Sequence, residues 1–426
     1  MCTSHGHEKT PTPAVAVSSS SPQEPFPWDA GAYDAHCHPT TTPASVAAIR
    51  GMRARAMAVM SSRAQDQDLV AAAAEAQGHG VVDGGKVLPA FGYHPWSSHL
   101  IYDDTNPATP PTFDPAAAAA TGGRQALDAQ LARHYGAPLS AVVAATRARL
   151  ARFPRALLGE VGLDKAFRLP QPRDPGPDGE VDPPADDERD LAPGGRYGRR
   201  LSRYRVSMPH QERVLAAQLA VAAELGRPVS VHGVQCQGVL FDALTATWKG
   251  HEREVLSRRQ RALVAKGAEE YEAYDSDEDE GEGEDEHSRN RSSSTRQSGT
   301  TPAPAGGGGG GGAPKPYPPR ICLHSFGGSV ETMRQYLDPR IPARIYFSFS
   351  SAINLSTPTG GERVPDAIAS CPDDRILLET DLAEAGDDMD AALEHIYRAV
   401  CQIKGWGLRE GVERIARNFE AFAFGP

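Results

Sequence analysis

The chain has 426 residues, with 44 Lys and Arg against 55 Asp and Glu, for a formal net charge of −11. That is the length of roughly two or three average domains, or of one large barrel with insertions. Its 42 Gly and 36 Pro exceed ordinary usage, so part of the chain cannot pack regularly, and the acid surplus at first weighs against a nucleic-acid partner.

Residues 1–28 are rich in Ser, Thr and Pro and lack the charged-then-apolar layout of a secretory signal, so a disordered tail is expected there. From that point short apolar or β-branched runs alternate with helical patterns: Ala32–His36, Ala54–Ser61, Val87–Gly92, Ala156–Glu160, Pro228–His232, Arg320–His324, Arg344–Phe349 and Arg375–Thr380. This alternation predicts βα units around a parallel sheet. Eight such strands are what a closed (β/α)8 TIM-type barrel needs. The clearest helix spans Pro209–Leu225, where Val214, Leu215, Gln218, Leu219, Ala222 and Leu225 keep helical spacing. Pro209 suits its first turn and Gly226 its left-handed cap. A last helix is expected over Arg409–Ala423.

Two acidic stretches interrupt the pattern. Glu269–Glu286 holds twelve acids and no Lys or Arg, and Pro172–Asp190 holds eight acids against Arg173 and Arg189. Together they carry −18, which leaves +7 on the rest of the chain. Such runs self-repel and bury nothing. Residues 170–200 and 251–318 are therefore expected to be disordered insertions in one catalytic domain spanning 29–426. No apolar run reaches the roughly 18 residues of a membrane-spanning helix. The six cysteines (Cys2, Cys37, Cys236, Cys322, Cys371, Cys401) lie far apart with no Cys-x-x-Cys pair, so neither a zinc ribbon nor a disulfide framework is indicated. An intracellular setting, cytoplasmic or nuclear, fits best.

What closes each strand is informative. His36 and His38 follow the first, Glu160 the fourth, His232 the fifth, His324 the sixth and Asp381 the eighth. Barrel enzymes build their sites on that one face from the ends of several strands. Taken singly, each residue has an ordinary reading: a solvated His pair, a hydrogen-bonded core histidine, a salt-bridged Glu, an Asp opening a helix. Together, in barrel order, they form a metal-site constellation. His36 and His38, two apart on an extended segment, project to one face, while Cys37 points into the core. Imidazoles and carboxylates without thiolates suit Zn²⁺, Mn²⁺ or Mg²⁺, and six ligands suit two divalent ions sharing a bridging carboxylate.

The same residues carry a resemblance. The segments Asp34–His38, Gly92–Pro95, Gly159–Asp164, Pro228–His232, His324–Gly328 and Glu379–Asp381, in that order, are similar to the TatD-related deoxyribonuclease family of metal-dependent hydrolases. Ile415–Asn418 resembles its C-terminal helix. Gly159–Pro170 is similar to a fungal branch described as interacting with a subunit of a mitotic ubiquitin-ligase complex. The resemblance implies a metal-dependent phosphodiester hydrolase acting on DNA. His36, His38 and Asp381 would hold one metal, Glu160 would bridge, and His232 and His324 would complete the second. Asp381 would orient or deprotonate the attacking water, and His94 would sit at the mouth beside a substrate phosphate. The ordinary reading of His94 is an exposed turn residue. The family's Lys on or after the seventh strand has no counterpart in Ile345–Leu355. Two other functions remain open. One is an amide or ester hydrolase of the wider amidohydrolase class, which often places a Lys where Glu160 stands. The other is a weakly active barrel that docks a protein partner through its acidic insertions.

Overall fold

A computed structural model of the chain describes residues 24–77, 84–105, 136–169, 205–256, 315–355 and 358–425. Its strands are β1 (Tyr33–Cys37), β2 (Ala56–Met60), β3 (Val87–Phe91), β4 (Ile101–Tyr102), β5 (Ala137–Pro138), β6 (Leu157–Asp164), β7 (Val229–Val234), β8 (Arg320–Leu323), β9 (Arg344–Phe349) and β10 (Ile376–Leu378). The helices are α1 (Ala64–Gln77), α2 (Leu139–Arg152), α3 (Met208–Glu224), α4 (Gln237–Trp248), α5 (Val330–Tyr336), α6 (Pro358–Ser370), α7 (Asp387–Lys404) and α8 (Leu408–Ala423). All eight expected strands form, and both expected helices lie within a residue of their predicted bounds.

The apolar runs become strands because a parallel barrel buries both faces of each one. The sheet order is β1-β2-β3-β6-β7-β8-β9-β10, parallel throughout, while β4 and β5 pair separately. The ring closes just beyond β10: Asp381 N–H donates to His36 O (3.0 Å) and His38 N–H to Leu382 O (2.8 Å). The buried Asp34 carboxylate reinforces the seam, accepting from Thr380 N–H (3.0 Å) and Thr380 Oγ1 (2.6 Å). The fold is a (β/α)8 TIM-type barrel.

Inside the ring, small residues (Ala35, Ala56, Ala58, Ala90) share a core cluster with Tyr33, Met60, Leu88, Tyr346 and Leu377. Phe419 and Phe422 of α8 complete it; Phe419 stacks on Tyr33 at 4.5 Å and Phe422 meets Tyr346 at 5.3 Å. Helix α8 thereby plugs the N-terminal end of the barrel and leaves the C-terminal end for the polar residues.

Three expectations need correction. Strand β6 continues to Asp164 instead of ending at Glu160, with a register shift between Leu158 and Val161, so Glu160 stands at a bulge inside the strand. Residues 24–28, assigned to the tail, are placed, with Phe26 buried against Trp28 and Tyr397. The margins of the larger insertion are also placed: Arg253 N–H donates to Arg340 O (2.7 Å), and Tyr317 is buried. The remainder of residues 1–28, 170–200 and 251–318 lies outside the described residues. The described chain leaves after Leu256, beyond α4, and returns at Lys315, ahead of β8, so both margins lie on the side of the barrel where strands begin. The insertion after β6 departs from the opposite, C-terminal end. No helix among the described residues is long and apolar enough to cross a membrane, and the five described cysteines are buried and unpaired.

Candidate metal centre

Among the described residues, three other than glycine have left-handed backbone angles: Gln235, Ser325 and Asp381, with φ of 53°, 42° and 56°. Each follows the end of a barrel strand, so the chain turns sharply at the C-terminal face. For Asp381 that turn directs the carboxylate back towards β1.

The six expected ligands meet there. His36 Nε2 lies 3.1 Å from His38 Nε2. Glu160 Oε2 is 3.5 Å and 3.3 Å from those two nitrogens, and Asp381 Oδ1 is 3.8 Å and 3.5 Å from them. A tetrahedral ion with bonds of about 2.1 Å has ligand–ligand edges of about 3.4 Å, which the five distances bracket. The other oxygen of the same carboxylate, Glu160 Oε1, faces a second set: His232 Nδ1 at 2.9 Å and His324 Nε2 at 2.8 Å, themselves 3.1 Å apart. Glu160 thus stands between two imidazole pairs with one oxygen towards each.

The imidazoles are oriented from behind. His36 Nδ1 meets Ser230 Oγ (2.9 Å), His232 Nε2 meets Asp164 Oδ2 (3.4 Å), and His324 Nδ1 meets Glu379 Oε1 (3.5 Å). Outer partners of this kind leave the inward nitrogen of each ring free as a ligand. Glu379 is itself fixed by Ser325 N–H and Oγ (both 2.7 Å) and Ser348 Oγ (2.5 Å). Asp164 also accepts from Trp96 Nε1 (2.5 Å). Cys37 is buried in the core with Sγ towards Ala58 O, as expected.

His94 departs from expectation. It is 3 % exposed and not at the mouth, because Trp96 and His232 pack against its ring at 4.5 Å and 4.3 Å. Its Nδ1 accepts the N–H of Trp96 (3.1 Å), so the neutral ring carries its proton on Nε2, 3.1 Å from Glu160 Oε1. That makes His94 a hydrogen-bond donor to the centre and a poor ligand. Burial lowers its pKa to about 4, with Glu160 only partly offsetting.

Electrostatics favour a cation. Burial opposes ionisation of Glu160, yet the imidazoles of His94, His324 and His36 hold it well below the ordinary carboxylate range. Asp164 behaves likewise: burial is outweighed by His232 and Trp96, and its pKa falls to about 2. Asp381 and Glu379 are also lowered against burial, through His38 and His324 respectively. His38 is raised to about 10, since its bonds to Asp381 and Glu160 overcome burial. Four ionised carboxylates under the surface, converging with inward imidazole nitrogens, form a donor set that fits divalent metal.

Sequence reasoning missed Asp164 and Glu379 as functional residues, although both lie in motifs it had singled out. It also missed Trp96 and Ser230, for which no spacing signal exists.

Comparison with known proteins agrees with this reading. The family described as TatD related DNase matches residues 33–257 and 311–423. Cut9-interacting protein scn1 of Schizosaccharomyces pombe is 29% identical over 407 residues, covering 91% of this chain and 97% of that protein. An uncharacterized deoxyribonuclease of Saccharomyces cerevisiae is 24% identical over 416 residues, covering 91% and 98%. Among solved structures, a TatD homolog (YJJV) from Escherichia coli K12 aligns with 14% identity and a TM-score of 0.45 over 92% of this chain and 98% of its own. An uncharacterized amidohydrolase from S. cerevisiae aligns with 12% identity and a TM-score of 0.48 over 92% and 99%. With the matched residues spanning nearly the whole barrel and every strand end that builds the centre, the chain belongs to the TatD-related DNase family and is a metal-dependent hydrolase.

Proposed function

We propose that the protein is an intracellular deoxyribonuclease that hydrolyses phosphodiesters at a two-metal centre. The observation that supports it is the placement of Glu160, one oxygen towards His36 and His38 and the other towards His232 and His324. His36, His38 and Asp381 would hold one ion, His232 and His324 the other, with Glu160 shared. Bound Mg²⁺, Mn²⁺ or Zn²⁺ would supply Lewis acidity at the attacking and leaving oxygens of the diester.

The chain's own groups do the rest. The Asp381 side chain is 16% exposed, against 5% for Glu160, so it is the carboxylate of the centre that water reaches. Ionised and held by His38, it can orient that water and accept its proton. His94 keeps a proton on Nε2 and can direct it to a phosphoryl oxygen beside Glu160. DNA is the proposed substrate. A protein partner, contacted through the acidic insertions, is proposed on the strength of the S. pombe relative's name and its similarity to this chain.

The test is cleavage by purified protein. With Mn²⁺ or Mg²⁺ it should nick or trim DNA, EDTA should stop it, and Glu160→Ala or Asp381→Ala should lower the rate at least about 100-fold with circular dichroism unchanged. Metal-loaded protein that leaves DNA, RNA and small diesters intact would sink the nuclease reading. Turnover of amides or esters in their place would favour the wider amidohydrolase class.

A further inference from the structure

The loop that leaves β6 is built more firmly than a connection needs to be. Asp164 Oδ1 accepts the N–H groups of Ala166 (2.7 Å) and Phe167 (2.8 Å). The Gln211 amide brackets the peptide of Asp164, accepting from its N–H (2.8 Å) and donating to its O (3.0 Å). Lys165 N–H donates to Val234 O (3.0 Å), and the buried Phe167 ring stacks on Trp96 at 5.1 Å and 16°. Trp96 lies 4.5 Å from His94, and Asp164 Oδ2 lies 3.4 Å from His232 Nε2. The loop is therefore fixed one side chain away from the centre.

Two exposed cations flank the anchored Phe167, Lys165 and Arg168, and neither has an ion-pair partner among the described residues. Of the other cations near this face, Arg63 lies 3.8 Å from Asp66, and Arg213 3.1 Å from Asp103. The loop after β9, Ser351–Leu355, contains no cation. A centre rich in carboxylates repels a polyanion beyond the reach of its metals, so any chain of phosphates must be held by cations beside it. Rigid backbone under Lys165 and Arg168 lowers the ordering cost of such contacts, and Arg suits the phosphate fork.

We infer that Asp164–Leu169 is a phosphate-contact loop, in which Lys165 and Arg168 hold the phosphates flanking the scissile diester of a nucleic-acid strand. This rests on the proposed phosphodiesterase reading and narrows its substrate to a polyanionic chain. The test is binding of a fluorescent, single-stranded phosphorothioate oligonucleotide to metal-loaded, full-length protein across a salt series. Phosphorothioate diesters keep their charge and resist hydrolysis, so the result does not depend on cleavage. Each lost phosphate contact removes about 0.7 from the slope of log affinity against log salt, so Lys165→Gln with Arg168→Gln should flatten it by about 1.4. Lys165→Arg with Arg168→Lys should keep the wild-type slope. An unchanged slope in the double Gln variant, or wild-type binding without salt dependence, overturns the loop's role while leaving hydrolysis to the cleavage assay. An intact slope effect without cleavage retains the loop and removes the deoxyribonuclease reading.

Discussion

Asp164 and Glu379 stand behind His232 and His324 and decide which ring nitrogen faces Glu160. An amide at either position would offer hydrogens where the network supplies them already: Ser325 and Ser348 both donate to Glu379, and Trp96 donates to Asp164. Asp164→Asn and Glu379→Gln should each weaken metal binding about 10- to 100-fold, read by competitive titration against a chelating dye. Affinity within twofold of wild type would show that the rings are held by packing alone. At this scale the sequence was legible for residues whose side chains terminate strands: His36, His38, His232, His324 and Asp381 all reach the centre. It was not legible for His94, whose burial depends on Trp96 folding over it, nor for Asp164, whose partner depends on the β6–β7 register. Spacing says which residues are near, and register says which atoms meet.

At the level of the elements, β6 explains a missed boundary. Glu160 followed by Gly162 reads as the end of a strand, yet Gly162–Asp164 continue the ladder opposite His232–Val234. Gly162 permits this with φ of +152° and no side chain; a Cβ there would stand 2.0 Å from His232 O. Gly162→Ala should cost more than about 2 kcal/mol in urea unfolding and disturb His232 with it. Gly226, which caps α3 at φ +64° with nothing within 4 Å of its would-be Cβ, should tolerate Ala for about 1–2 kcal/mol. Equal costs at the two positions would mean that conformation, not contact with β7, governs Gly162. The helices were easier to read, since α3 and α8 keep one apolar stripe each and their periodicity survives any register.

Across the whole molecule, the negative charge falls into distinct populations. Under the surface are the ionised carboxylates of the centre, which repel one another unless a cation joins them. Chelation should therefore lower the melting temperature, and restoring metal at 100 times its Kd should return about 2.7 kcal/mol of stability, measured by scanning calorimetry. The runs within 170–200 and 251–318 form the other population, read from composition alone. We expect deletion of 257–314, with a short linker, to leave the melting temperature nearly unchanged, because that stretch offers little apolar surface to bury. A large drop would show that it packs. The described ends of that stretch lie between α4 and β8, on the side of the barrel where strands begin, whereas the run after Leu169 begins on the catalytic side.

The seam between β1 and β10 also sets a sequence of events. Asp34 and Thr380 are 346 residues apart in the chain, and the same junction joins His36 to Asp381. On a ribosome, β1 must wait with an open edge until the 346 residues that separate Asp34 from Thr380 have been made. Until β10 docks, no nascent or prematurely terminated product holds Asp381 beside the His36–His38 pair, and none has α8 in the floor of its barrel. The complete centre thereby forms only in chains that extend through β10, and copies that stop short of it lack Asp381 at the seam.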